Sequence, residues 1–195
     1  MNYRQDGSET LPLQDLDLFT RLSLYFDTFE QQLRAGHGWL ILNTSGARAA
    51  RVTAFITSRV NEFGPWISTH LIPWREFALN AYMVQIELQS ISQPESLLGK
   101  AKTEYEIASR VSRDAMVKLV ASDLLIVNGL RPEHPHELEF LDETIERRHQ
   151  QRLSTIVISP KLPQDLSATF DDILPGAPLW DRFFSRMYQR SFIAL

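Results

Sequence analysis

The sequence contains no cysteine. This absence excludes disulfide bonds, catalysis by a thiolate, and zinc or iron–sulfur sites built on cysteine. The chain also lacks a run of about 18 apolar residues, the length that a transmembrane helix needs. The opening residues 1–6 are polar and do not have the apolar segment of a signal peptide. We therefore expect a cytoplasmic protein that makes no contact with a membrane.

The chain carries little excess charge of either sign. It has 20 Lys and Arg against 24 Asp and Glu, which gives a formal net charge of −4. Such a balance provides no overall attraction to nucleic acid, so DNA could bind only through a local basic patch. Hydrophobic residues form 44% of the 195 positions, a usual value for a folded domain. We expect one domain over 13–195, preceded by a flexible lead-in at 1–12.

Hydrophobic periodicity divides the chain into alternating helices and strands. The amphipathic pattern at 13–34 predicts an N-terminal helix, and further helices are predicted at about 52–63, 77–88, 101–120, 137–151, 164–170 and 179–189. Strand-forming runs lie at 39–42, 66–72, 123–130, 154–159 and 192–195. This alternation predicts an α/β fold, a three-layer sandwich with a five-stranded parallel sheet.

The segment from Gly38 to Arg51 has the setting of a phosphate-binding loop. An apolar run leads into a turn of small polar residues and then into a helix, so backbone N–H groups and a helix N-terminus could face an anion. The chemistry of that loop also requires a second glycine, a lysine for the phosphates and a hydroxyl for Mg²⁺. In this register those positions hold Arg48, Ala49 and Ala50.

Four segments, in the right order, resemble the ATPase core of the bacterial helicase-loader and transposase-helper AAA+ proteins, the DnaC/IstB type. Segment 38–46 resembles the strand that enters the Walker A loop, and 122–130 resembles the Walker B strand. Segment 155–160 lies where the family has its sensor-1 strand, and 181–186 resembles its closing helix. The resemblance spans about Gly38 to Leu195 and implies a P-loop NTPase core with no separate lid domain.

The motif residues depart from this family. The altered Walker A motif falls on Asn43, Thr44, Ser45, Gly46, Ala47, Arg48, Ala49 and Ala50. The acidic pair of Walker B falls on Asn128 and Gly129, and the sensor-1 position falls on Ser159 and Pro160. Phosphoryl transfer depends on positioning and on neutralising charge. The resemblance therefore implies a protein that is not an enzyme and has no catalytic residues, metal or cofactor. Weak nucleotide binding stays open, through backbone N–H groups at 44–47 with Arg48 or Arg51.

Other charged residues have two interpretations. Arg182, Arg186 and Arg190 form one helical stripe that could contact DNA, a protein partner or a neighbour's nucleotide. The alternative is a solvated face with local pairs to nearby acids such as Asp181 or Asp172. The arginines near the end of the 137–151 helix are expected to face its negative C-terminal dipole. The histidines of the 131–136 loop have a spacing that fits no common metal site, and a surface loop is expected.

These observations predict a catalytically inactive AAA+-like protein, a pseudo-ATPase. It would act as an interaction, adaptor or regulatory subunit in an assembly of the DNA replication or transposition type. Its partner would be a protein, either an active AAA+ relative or a second copy of the chain. One alternative is a regulator that holds a nucleotide or another phosphate in the altered loop through Arg48 and Arg51. The other is direct DNA binding through the arginine stripe.

Overall fold

The computed structural model describes residues 13–87 and 99–195. The helices are α1 (Leu13–Asp27), α2 (Phe29–Ala35), α3 (Gly46–Asn61), α4 (Trp74–Tyr82), α5 (Gly99–Ala121), α6 (Pro135–Gln151), α7 (Pro163–Ile173) and α8 (Leu179–Arg190). The strands are β1 (Gly38–Ile41), β2 (Thr69–Pro73), β3 (Leu124–Asn128), β4 (Ser154–Ile158) and β5 (Ser191–Ala194). A 3-10 turn covers Gly64–Trp66, and a π-helical turn covers Met83–Glu87.

The five strands form one sheet in the order β2-β3-β4-β1-β5, and every neighbouring pair is parallel. This confirms the predicted α/β fold with a five-stranded parallel sheet. β4 lies between β1 and β3, although it follows both in the chain. The carboxyl ends of parallel strands meet at one edge, so the segments that follow β1, β3 and β4 are brought side by side.

The sheet is covered on both faces, which explains the continuous apolar runs of its central strands. Side chains such as Leu40 and Val157 point to one face and pack against α4 to α8. Their neighbours Trp39 and Ile156 point to the other face and pack against α1, α2 and α3. β1 also lies very close to β4, because a Cβ atom on Gly38 would come within 1.9 Å of the Thr155 carbonyl oxygen.

The N-terminal helix predicted at 13–34 is divided in two. α1 ends at Asp27 and α2 begins at Phe29, with Thr28 outside both helices. The Thr28 hydroxyl donates to the Leu24 carbonyl oxygen at 3.2 Å, and the Thr28 N–H donates to the Tyr25 carbonyl at 3.3 Å. Threonine competes in this way with regular helical bonding, which apolar periodicity does not reveal.

The second strand begins later than the prediction of 66–72. Gly64 has a positive φ of 61° and Pro65 has no N–H, so the residues up to Trp66 turn instead of extending. The strand begins at Thr69, directly after the Ser68 N–H donates to Asp123 Oδ2 at 2.8 Å. The carboxylate of the residue before β3 thus bonds to the residue before β2.

Arg148 is buried, and its role differs from the predicted interaction with the helix dipole. Its guanidinium donates to the carbonyl oxygens of Leu119 (2.9 Å), Ser122 (2.9 Å) and Ser154 (2.5 Å). Burial lowers its pKa to about 10, so it stays charged at neutral pH. The side chain therefore ties the end of α5 to the start of β4.

Two arginines bond to the free edge of β5. The Leu42 N–H donates to the Ala194 carbonyl at 2.8 Å, so the carbonyls of Ile193 and Leu195 on either side point away from β1. Arg21 Nη2 donates to the Ile193 carbonyl at 3.1 Å, and Arg48 Nη2 donates to the Leu195 carbonyl at 2.9 Å. Guanidinium groups thus occupy both of these outward-facing carbonyls.

Candidate functional site

The structure brings the three predicted motif segments together at the carboxyl edge of the sheet. The Thr44 N–H donates to the Ser159 carbonyl at 2.9 Å, which joins the loop after β1 to the segment after β4. The Gly129 N–H donates to the Ile158 carbonyl at 2.9 Å, which joins the segment after β3 to β4. Ligands of α/β sheets bind at this edge, outside the carboxyl ends of the strands.

The loop after β1 (residues 42–45) uses its backbone N–H groups inside the protein. Besides the Leu42 and Thr44 bonds, the Asn43 N–H donates to the Lys161 carbonyl at 3.0 Å. Asn43 has a positive φ of 52°, which turns the chain sharply at this point. A phosphate-binding loop presents consecutive N–H groups to the anion. Here three consecutive N–H groups are already bonded to carbonyl oxygens of other segments.

Helix α3 begins early relative to the Walker A motif. Its first residue is Gly46, and Ser45 is the extended residue before it. In a P-loop the motif stands between the strand and the helix, whereas Ala49, aligned with the lysine, is the fourth residue of α3. The alanines of this segment have high helix propensity and favour this early start. The loop between strand and helix is therefore only four residues long.

Arg48 and Arg51 converge on one buried carboxylate, Asp15 of α1. Arg48 Nε donates to Asp15 Oδ1 at 2.8 Å, and Arg51 Nη2 donates to Asp15 Oδ2 at 2.6 Å. The Asp15 side chain is only 3% exposed. Arg48 Nη1 also donates to the Asn43 carbonyl at 2.8 Å. The two guanidiniums predicted to hold an anion thus bind a carboxylate of the same chain.

The sequence pattern did not single out Asp15. It lies in the first turn of α1, where an acidic residue is favourable for any helix because of the dipole. Its partners are 33 and 36 residues further along the chain. Only the packing of α1 against α3 brings these side chains together, and periodicity carries no signal for that pairing.

The residues at the Walker B and sensor-1 positions have structural contacts. Asn128 is half-buried at the end of β3. Ser159 is fully buried, and its hydroxyl donates to the Leu130 carbonyl at 3.0 Å and accepts from the Lys161 N–H at 3.2 Å. Pro160 is half-buried and has no N–H to offer. The Ser159 hydroxyl therefore stabilises the segment after β4.

The arginine stripe of α8 lies away from this edge and pairs with α6. Arg182 Nη2 lies 2.9 Å from Asp142 Oδ2, and Arg186 bonds to both Asp142 and Glu146 at 2.5 Å. Arg190 Nη1 donates to the His149 carbonyl at 3.2 Å. These partners differ from the local acids Asp181 and Asp172 expected from the sequence, because the closest acids come from the helix that packs beside α8.

The histidine loop borders a cavity of about 800 Å³ between α4 and the start of α6. The rings of His134 and His136 stack with 5.4 Å between centroids, and Tyr82 meets His136 at 5.9 Å. Across the residues that the structure describes, no three His, Asp or Glu side chains are placed to hold a metal ion. No helix in that part of the chain is long and apolar enough to cross a membrane.

Comparison with known proteins identifies the fold. No family model matches the chain, and no curated protein matches it in sequence. The DnaC helicase loader superposes with a TM-score of 0.61 at 13% identity, over 97% of this chain and 93% of that one. A candidate primosome component from Streptococcus pyogenes serotype M3 gives 0.59 at 14% identity, over 94% and 79%. AMPPCP-bound DnaA from Aquifex aeolicus gives 0.58 at 11% identity, over 95% of this chain and 48% of DnaA.

The chain shares the fold of these three proteins. At 11–14% identity the likeness is one of fold. What this fold does in this chain must be argued from its own residues at the sheet edge.

Proposed function

We propose that the chain is a catalytically inactive AAA+-like protein that acts as an interaction, adaptor or regulatory subunit in an assembly related to DNA replication. The single observation that carries the proposal is the Asp15 carboxylate bound by both Arg48 and Arg51. Both arginines lie in the first two turns of α3, close to where a nucleotide phosphate would lie. With the carboxylate in place, a phosphate would have to displace an internal ion pair.

The loop after β1 supports the same conclusion. Of the N–H groups at 44–47 predicted to meet an anion, that of Thr44 donates to the Ser159 carbonyl, and those of Leu42 and Asn43 before it are also bonded within the protein. Asn128 and Gly129 occupy the positions at the end of β3 that would hold Mg²⁺ and orient water, and neither residue has a carboxylate. A chain that keeps the fold without these groups can still present its surfaces to other proteins.

The type of assembly is proposed from the fold neighbours. They are a helicase loader, a candidate primosome component and DnaA. We propose that this chain works beside proteins of that kind, either an active AAA+ relative or a second copy of itself. Direct DNA binding through the α8 stripe is less favoured, because Arg182 and Arg186 are paired with acids of α6.

The test is thermal unfolding of the full chain with and without millimolar Mg-ATP, Mg-ADP and inorganic pyrophosphate. A ligand at 100 times its dissociation constant adds about 2.7 kcal/mol to the free energy of unfolding. For a chain of this size that is a rise of roughly 5–10 °C in midpoint. We expect no rise with any of the three, and no ATP hydrolysis above the rate of a buffer blank.

The outcomes separate the alternatives. A rise that disappears in Arg48→Ala would replace the adaptor by a regulator that holds a phosphate in the altered loop. A salt-sensitive affinity for DNA that falls with each of Arg182→Ala and Arg186→Ala would favour the DNA-binding alternative. Measurable ATP hydrolysis by the purified chain would refute the proposal outright.

A further inference from the structure

Trp66 is 90% exposed, more than any other large apolar residue in the described ranges. Trp39 and Trp74, in contrast, are 1% and 8% exposed. The backbone of Trp66 is held in the 3-10 turn between Phe63 and Ile67, which both pack against the core on the α3 side of the sheet. Among the described residues, no other ring and no cation lies against its indole. An uncovered indole on a fixed backbone is a candidate contact point for a partner.

A cavity of about 380 Å³ lies beside this indole. Its apolar wall consists of half-buried side chains, those of Leu33, Phe63, Ile67 and Leu153. Because Ile67, Asp123 and Leu153 precede β2, β3 and β4, the cavity lies at the amino edge of the sheet. It is therefore separate from the motif segments, which meet at the carboxyl edge. Its volume is within the range of about 300–1,000 Å³ that is usual for ligand pockets.

The charged residues that line the cavity are Glu30, Arg34 and Asp123. Glu30 and Arg34 pair with each other at 3.5 Å. Asp123 Oδ2 accepts from the Ser68 N–H, and no cation among the described residues is within ion-pair distance of this carboxylate. Burial lowers the pKa of Arg148 and Asp123 opposes this shift, but the Arg148 guanidinium donates to oxygens of other residues. The cavity thus has one carboxylate without a paired cation.

The other arginines near this edge do not neutralise Asp123. Arg59 pairs with Asp27 and Glu62. Arg152 is exposed, but it is not among the residues that line the cavity. A carboxylate and an uncovered indole beside aliphatic side chains suit an organic cation, because the aromatic face attracts the charge and the aliphatic wall packs against the carbon stem. The planar guanidinium of arginine stacks on aromatic faces and also pairs with carboxylates.

We infer that this cavity binds an arginine side chain of a partner protein. The carbon stem would pack against the apolar wall, and the guanidinium would lie between the Trp66 indole and the Asp123 carboxylate. An acidic side chain in the same place would be repelled by Asp123, so charge complementarity selects a basic one. The inference rests on the proposed function, because it describes where an adaptor would hold its partner.

The first experiment titrates the full ¹⁵N-labelled chain with N-acetyl-L-arginine methylamide and follows the indole N–H resonance of Trp66 by NMR. The Trp66 resonance is assigned as the one that is lost in Trp66→Phe. The uncharged comparison compound is N-acetyl-L-norleucine methylamide. We expect saturable binding of the arginine compound, at least about fivefold tighter than that of the norleucine compound. Absence of saturation, or equal affinity for the two compounds, would overturn the inference.

The second experiment measures the same affinity in variants, followed through the Ile67 amide resonance. Asp123→Asn removes the charge, whereas its amide oxygen can still accept from the Ser68 N–H, and it should weaken binding at least about threefold. Trp66→Ala should remove saturable binding. The matched control is Asp181→Asn, at an exposed carboxylate that does not line the cavity, and it should change the affinity by less than about twofold. Equal losses for Asp123→Asn and Asp181→Asn would contradict the proposed contact.

The third experiment tests whether the side chain comes from a protein. Random peptides displayed on phage are selected on the wild-type chain and, in parallel, on Asp123→Asn. We expect peptides with an arginine flanked by apolar residues to be enriched on the wild-type chain alone. Enrichment of peptides without arginine, or equal enrichment on both chains, would overturn the inference. Binding of the arginine compound with no peptide enriched would assign the cavity to a small free cation instead.

The two proposals can fail separately. A midpoint shift with Mg-ATP would refute the inactive-subunit proposal while leaving arginine binding at the amino edge intact. Loss of arginine binding, with no nucleotide effect, would refute only the role of the cavity. Far-UV circular dichroism of each variant checks that the substitutions leave the fold unchanged.

Discussion

Replacing Asp15 by alanine should destabilise the domain far more than other acidic-to-alanine changes on α1. Removing one partner of a fully buried ion pair costs about 3–5 kcal/mol, since the remaining charge is left without compensation. Here the partners Arg48 and Arg51 are 15% and 36% exposed, so water can reach both guanidiniums after the change. We therefore expect a loss of about 2–3 kcal/mol in the free energy of unfolding, or roughly 5–10 °C in midpoint.

The control is Asp17→Ala, two residues further along the same helix. Asp17 is 71% exposed and lies 3.7 Å from Arg21, so its loss should cost less than about 1 kcal/mol. Urea unfolding followed by circular dichroism gives both values, and a cycle of Asp15→Ala with Arg48→Ala measures their coupling. The coupling should exceed about 1 kcal/mol. Equal losses for Asp15→Ala and Asp17→Ala, or additive effects in the cycle, would refute the reasoning.

Three further predictions concern the fold. Arg148→Met removes the donor to three buried carbonyl oxygens and should cost about 3 kcal/mol or more in urea unfolding, whereas the exposed Arg147→Met should cost less than about 1 kcal/mol. Gly38→Ala should cost about 3 kcal/mol or more in thermal unfolding, because the new Cβ atom would meet backbone of Thr155; wild-type stability would contradict this. Burial lowers the pKa of His70; Glu76 opposes this shift, and Lys118 and Arg148 add to it. The contribution of His70 to the free energy of unfolding is therefore complete above pH 6.5 and is lost as the pH falls below that value. His70→Gln should flatten this part of a plot of the free energy of unfolding against pH.

The fold could be predicted from sequence because its signals are local. The apolar runs of β1, β3 and β4 have the length and composition of strands buried on both faces, and the structure confirms them within one or two residues. The predicted ends of helices and strands were less accurate where a single side chain determines the end. Thr28 divides the first helix through its hydroxyl, and Asp123 delays β2 by accepting from the Ser68 N–H.

The candidate site was predicted as a set of positions, and its contacts were not. Resemblance to the family's motifs selected Asn43, Asn128 and Ser159, and the structure brings the segments that contain them to one sheet edge. It could not show that Arg48 and Arg51 bind Asp15, because that contact depends on the packing of two distant helices. Arg148 was missed for the same reason, since its role depends on carbonyl oxygens from three other segments.

The bonds from Arg21 and Arg48 to the last strand have a consequence for self-association. An open sheet normally risks recruiting a foreign strand along its unpaired border, the route by which many proteins aggregate. In this chain the Ile193 and Leu195 carbonyls that an incoming strand would need are already occupied by guanidinium groups. Sheet extension at β5 would require both arginines to leave. Oligomers that form at the β5 edge should therefore be held together by side-chain contacts. Loss of Arg21 should make the purified chain more prone to aggregation on storage.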